Sequence, residues 1–312
     1  MATAYTETPS NLSEIMPFIV TDIKVIKNLF YSADRVIFYD ACSFQRHSHL
    51  ADRERSILIR YYNARATTIF ITRCILMELA SDRGMLAEKF IEFIKVMSEN
   101  EIKVVLFDEE YIYDILSECF SVNEKINAYL LWAVRMCKSP TSTITETLKE
   151  NTKLMAEVLE GKNLQQSDVY DRFFTAVRGN KEHDDNLGEE LIAICVHILS
   201  HLPGVYDGKL CVMTDDKGAA AKIDSVMKKT AVRNRGVKIV LFSTPKLVQH
   251  MFQEQVEISE DEMVTILSQG ASGKIVVMGI TAYDFDVNRS ISMTSRELAH
   301  KIMEPNGILI VF

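Results

Sequence analysis

Six acidic residues fall where apolar runs of this 312-residue chain end or begin. Asp40 closes the run in VIFYDACSF, and Glu78 sits inside RCILMELAS. Glu189 and Glu190 open LGEELIAICVHIL, and Asp215 and Asp216 close KLCVMTDD. Carboxylates gathered at one place repel each other, and the arrangement is costly unless a cation holds them. Hard oxygen donors suit Mg²⁺ or Mn²⁺, which can activate water for phosphodiester hydrolysis. Taken singly, each acid also has a plainer use. Asp40 could cap a turn or helix, Glu189 or Glu190 could answer a helix dipole, and Asp215 and Asp216 could cap the helix starting near Lys217. Glu78 lies among Ile75, Leu76, Met77 and Leu79, a surface that demands a partner for it.

The elements that would position these acids are strands and helices in alternation. RVIFYD (35–40), TTIFIT (67–72), KVVLFD (103–108), KLCVMTD (209–215) and VKIVLF (237–242) are rich in Val, Ile and Phe and do not alternate with polar residues. Such runs read as strands buried on both faces. Helical patterns at about 52–65, 73–98 and 217–230 separate them, and another covers Leu12 to Tyr31. The expected fold is α/β: three layers, α/β/α, around a central parallel sheet. The tract from about 109 to 180 reads as three or four helices inserted over one sheet end. KIVVMGI (274–280), a helix near 294–303 and GILIVF (307–312) read as a small C-terminal β-α-β extension, with the acidic segment EQVEISEDEM as its boundary. The units are therefore a leader and helix (1–32), a main domain (33–250) and the extension (256–312). In an open parallel sheet, ligands bind beyond the carboxyl ends of the strands, where these acids fall.

Hydrophobic content of 47% allows a sizeable core, and no run of about 18 apolar residues suggests a membrane span. The first residues lack the basic start and apolar stretch of a secretory signal, so a cytoplasmic location is expected. The six cysteines form no C-x-x-C pair and read as buried free thiols. A net charge of −8 argues against a large basic nucleic-acid surface but leaves room for local contact. Lys217 beside the fourth acid is a candidate phosphate contact. Lys228, Lys229, Arg233 and Arg235 in KKTAVRNR form a short basic patch. The charged run RGNKEHDDN (178–186) reads as a solvated loop.

Taken together, the acid motifs resemble the PIN domain, a family of metal-dependent nucleases. Asp40 in VIFYDACSF, Glu78 in CILMELA, Glu189 in GEELIAI and Asp216 in the T-x-D of TDDKG follow the family's order. The resemblance covers roughly residues 33 to 250 outside the inserted helices. It implies a Mg²⁺- or Mn²⁺-dependent hydrolase, acting on RNA in preference to DNA, with Asp40, Glu78, Glu189 and Asp216 as both metal ligands and catalytic residues. Glu190, Asp184 and Asp185 are alternates at the third position, and Asp215 is one at the fourth. Ser43 is a hydrogen-bonding candidate near substrate. By analogy the chain would act as a toxin-like or defence effector under a regulatory protein partner or as a homo-oligomer, with no membrane role.

Rival patterns are weaker. A haloacid-dehalogenase-like phosphatase needs an acid where this chain has Cys42, and a receiver domain needs its acidic pair after the first strand. His197 and His201 share a helical face but lack the glutamate of a zinc protease motif, since Ile198 stands there. No phosphate-binding glycine loop occurs. A catalytically silent interaction or scaffold module is the remaining alternative.

Overall fold

The computed structural model describes residues 5–234, 236–271, 273–281, 286 and 289–312, with the backbone alone over 229–234. Two 3-10 turns, Leu12–Glu14 and Met16–Phe18, precede α1 (Ile23–Ser32) and β1 (Arg35–Tyr39). Then come α2 (Ala41–Ser48), α3 (Asp52–Ala64), β2 (Thr67–Thr72), α4 (Arg73–Leu79), α5 (Glu88–Glu99) and β3 (Lys103–Phe107). A helical tract follows: α6 (Tyr111–Ser117), α7 (Asn123–Cys137), α8 (Thr143–Glu150), α9 (Thr152–Val158), α10 (Val169–Gly179) and α11 (Leu187–Leu199). The chain returns to the sheet through β4 (Leu210–Met213), α12 (Lys217–Asn234) and β5 (Val240–Phe242), then α13 (Thr244–Gln253). Last are α14 (Glu260–Ser268), β6 (Ile275–Ile280), β7 (Ser290–Met293), α15 (Ser295–Met303) and β8 (Leu309–Ile310).

The first five strands form one parallel sheet in the order β3-β2-β1-β4-β5, flanked by helices. All six residues of β2 are buried, which is why the strand runs carry no polar alternation. Phe38 pairs with Phe70 in register, and both rings pack with Phe107 at centroid distances of 5.1–5.8 Å. Cross-strand aromatic pairs of this kind stabilise a sheet and pin its register. Strand order reverses at β1: β2 and β3 extend on one side, β4 and β5 on the other. The switch point therefore lies between β1 and β4.

Several expected elements are divided. The helix expected over Leu12 to Tyr31 begins only at Ile23, because Pro17 interrupts it and Asp22 caps α1 with its carboxylate. Between them Val20 bridges Val105 beside β3. The helix expected over 73–98 breaks into α4 and α5 around Arg83 and Gly84, both at positive φ. The inserted tract holds five helices rather than three or four.

The expected β-α-β extension is instead β-β-α-β, with β6 antiparallel to both β7 and β8. β7 was invisible because SISM has little apolar content and only partial burial. The acidic segment before it is tied to α3: Arg53 reaches Glu262 at 2.6 Å, and Arg65 reaches Glu254 at 2.8 Å. Gln249 of α13 binds the backbone of Ile308 and Ile310, joining β8 to the main layer.

Candidate active site

The switch point carries the first and fourth acids. Asp40 ends β1 and caps α2, its Oδ1 accepting the Ala41 amide at 2.8 Å. Its Oδ2 accepts from the Thr214 hydroxyl at 2.9 Å and the Cys42 thiol at 2.8 Å. Thr214 follows β4 directly, and its Oγ1 also accepts the Asp216 amide at 3.1 Å. One fully buried hydroxyl thus links the ends of both central strands. Asp216 accepts the amides of Gly218 and Ala219 through Oδ1, capping α12. Burial raises the Asp40 carboxyl above its ordinary range, Asp216 adds to the rise, and the thiol, hydroxyl and amide oppose it.

The second and third acids come from α4 and α11, which pack closely. A Cβ on Gly188 would stand 2.5 Å from Oε1 of Glu78 and 2.9 Å from the tip of Ile75, so a larger residue here would force both side chains to shift. Glu189 is pushed up to about 7, first by burial and then by Asp40, Glu78 and Asp216. Its Oε2 is buried and has no hydrogen-bond partner among the described residues. Glu78 is also pushed up to about 7 by burial, with Asp40 and Asp185 adding and Lys181 opposing. Each of the four acids belongs to a different segment, yet all four enter one electrostatic group.

The charged run 178–186 is not a solvated loop at its ends. The Lys181 side chain is 2% exposed, 2.9 Å from Glu78 and paired with Asp185. Burial alone would lower its pKa, but Glu78 and its other anionic neighbours outweigh that and raise it. The Tyr5 ring lies 5.0 Å from its ammonium, so the leader covers this cation. The leader itself is pinned by Glu7, which accepts from Arg73 and Arg178 at 3.1 Å each. Arg178 further binds the fully buried Glu109 at 2.6 Å and Glu110 at 2.7 Å. Sequence inspection missed both cations because their partners are remote in the chain and only folding brings them together.

The alternates divide clearly. Asp215 accepts from Ser43 at 3.0 Å and from the Thr244 amide and hydroxyl at 2.7 and 2.6 Å, and Arg46 lies 3.3 Å away. Burial pushes its pKa up, but Arg46, His47 and Thr244 outweigh that and hold it below the ordinary range. Since Thr244 donates to Asp215, its oxygen accepts from His47 Nε2 at 3.0 Å, leaving Nδ1 to accept from Tyr39. Asp215 is therefore a structural anchor joining α2 to α13. Ser43 is fully buried in that anchor and does not face a substrate. Glu190 is buried against Lys222. Asp185 holds Lys181, Thr143 and two amides, and Asp184 is exposed beside His183.

Lys217 is exposed next to Asp216 and lines a cavity of about 270 Å³ with Arg46 and Asp215. Of the basic patch, Lys228 pairs with Asp224 at 2.6 Å; the side chains of Lys229, Arg233 and Arg235 lie outside the described residues. A cavity of about 1010 Å³ opens beside α13, α15 and β8 and is lined by none of the four acids.

The donor set suits a hard divalent cation in chemistry: four carboxylates, two of them raised to about 7, and one orphaned anionic oxygen. As the side chains stand, no group of three or more His, Cys, Asp or Glu among the described residues is placed to hold a metal ion. The reason is visible in the partners, since Lys181 holds Glu78 while Thr214 and Cys42 hold Asp40 Oδ2. Among the described residues no helix is long and apolar enough to cross a membrane. Comparison of the chain with protein-family models, curated proteins and solved structures finds no match.

Proposed function

We propose that the chain is a Mg²⁺- or Mn²⁺-dependent nuclease of the PIN type, hydrolysing phosphodiester bonds in RNA. One observation carries the reading: four segments separated in sequence deliver Asp40, Glu78, Glu189 and Asp216 to one electrostatic group at the sheet's switch point. Asp40 is buried, Glu78 and Glu189 are half-buried and Asp216 is exposed at the mouth; like charges so arranged repel each other, and a cation entering from the Asp216 side would offset that repulsion. Bound there, the metal would neutralise the phosphate and lower the pKa of an attacking water.

The chain's own residues do the rest. Asp40 and Asp216 are held from behind by Thr214, which fixes their approach before any ligand arrives. Lys181, buried beneath the leader, holds Glu78 in place from the protein side. Lys217 stands exposed on the other side of Asp216, where a backbone phosphate can meet it. RNA as the preferred substrate rests on the family resemblance, and an effector role under a controlling partner rests on analogy.

A binding-only module is the second reading, favoured by the Lys181–Glu78 pair and the absence of a preformed three-acid cage. The test is cleavage of single-stranded RNA and DNA by purified protein with Mn²⁺ or Mg²⁺. Loss of activity by about a thousandfold or more is expected in Asp40→Asn and in Asp216→Asn. Equal cleavage by wild type and both variants, or none by any, overturns the nuclease assignment.

A further inference from the structure

Two turns beyond Glu189 on α11, about 12 Å along the helix axis, lies a cavity of about 310 Å³ that the acid cluster does not use. Ala128, Tyr129 and Trp132 of α7 form one side, and His197 and His201 form the other. The two imidazoles stack with centroids 4.9 Å apart, and His201 also meets the Tyr129 ring at 6.1 Å. Trp132 is 40% exposed, so part of its ring is open to a guest entering the cavity.

The polar atoms narrow the occupant's chemistry. His197 is 1% exposed, and neither of its ring nitrogens has a hydrogen-bond partner among the described residues. His201 Nδ1 lies 2.8 Å from the His197 carbonyl, which can only accept, so Nδ1 carries the proton and Nε2 is left a bare acceptor. That nitrogen is likewise buried without a partner among the described residues and lies close to Gly236. Burial and its histidine neighbour push His197 down to about 3, so it is neutral at physiological pH. A neutral imidazole offers one donor and one acceptor.

An anion finds no Lys or Arg in this lining among the described residues. A metal ion finds two nitrogens and no third His, Cys, Asp or Glu ligand among the described residues. A purely apolar guest would leave the imidazole nitrogens unpaired at a cost. A planar, uncharged heteroaromatic ring with mixed donors and acceptors meets all three conditions, stacking on Tyr129 and Trp132 and facing the histidine pair.

We propose that this cavity is a subsite for one unstacked nucleobase. It deepens the nuclease reading, on which it rests for the natural ligand, by placing a base-binding platform on the same helix that carries Glu189. Strand segments engaged there would be drawn past the acids in one direction, giving preference for unpaired over duplex substrate.

Trp132 is the only tryptophan in the chain, so its fluorescence reports on this site alone. The full-length protein is titrated with adenosine, guanosine, cytidine and uridine without divalent metal, and separately with zinc chloride. Saturable quenching by at least one nucleoside is expected. Binding should weaken about tenfold or more in Tyr129→Ala and in His197→Phe, the latter keeping the ring volume. Asp40→Asn should bind as wild type, so failure of cleavage and failure of base binding are read independently. No saturable response to any nucleoside up to millimolar concentration, unchanged affinity in both variants, or saturation by zinc alone overturns the proposal.

Discussion

At the end of β3, Glu109, Glu110 and Glu7 surround the guanidinium of Arg178. Near the ends of β1 and β4, Asp40, Glu78 and Asp216 all act electrostatically on Glu189, and the ammonium of Lys181 pairs with Glu78. Both groups sit at the same edge of one sheet, and each is built around one buried carboxylate, Glu109 in the first and Asp40 in the second. In the first, burial raises Glu109 while Arg178 and the Cys74 amide pull it back, and each carboxylate has a cation within contact. In the second, burial and the other acids act together on Glu189, and nothing opposing them is cationic. In the first cluster every carboxylate touches the guanidinium, although one cation faces three acids. In the second, Glu189 keeps a buried oxygen without a partner among the described residues, and that is the opening a cation would fill.

The contrast can be broken most severely from the closed side. Arg178→Met leaves the fully buried Glu109 without its counter-ion, and removing one partner of a buried pair costs about 3–5 kcal/mol. Urea unfolding should show that loss at neutral pH, and an unchanged midpoint would mean that Glu109 is not held ionised by Arg178.

A smaller effect is expected from the open side. Divalent cation at about a hundredfold excess over its dissociation constant should stabilise the wild type by about 2.7 kcal/mol. Thermal unfolding with Mn²⁺ should show this shift, absent in Asp40→Asn and retained in Arg178→Lys. The same shift in all three proteins would place the cation elsewhere.

The smallest effect concerns pH. Glu189 in the folded chain titrates at about 7, above its ordinary value of 4.5, so the folded state holds its proton where the unfolded state has released it. Its contribution to stability is therefore full below about pH 4.5 and is lost as pH rises through about 7. Glu189→Gln lacks this penalty, so metal-free variant should gain on metal-free wild type by about 1–2 kcal/mol across that window. Parallel pH–stability curves for the two proteins would show that Glu189 is not pressed by its neighbours.

The strands of the main sheet were legible because burial on both faces leaves an unbroken apolar run. The acids were legible because each stands at the end of such a run or inside an apolar helix. What sequence could not separate was Asp215 from Asp216. They are adjacent, but one turns inward to Thr244, Ser43 and Arg46 while the other caps α12 beside Asp40. Local pattern carries no record of which way a strand-end residue turns. Lys181 and Arg178 were hidden for a related reason, since their run reads as polar until Glu78 and Glu109 are brought against it. The broken helices followed local chemistry that apolar periodicity overrode: Pro17, the Asp22 cap, and the positive φ of Arg83 and Gly84.

Gly188 gives the site a vulnerability that none of its charged members reveals. It carries no functional group, yet the end of the Glu78 side chain occupies the room it leaves. A methyl group at position 188 would press first on the Glu78 carboxylate and on the tip of Ile75, and both side chains would have to turn aside. An uncharged substitution could thus change how Glu78 meets Glu189 while every carboxylate of the cluster is kept.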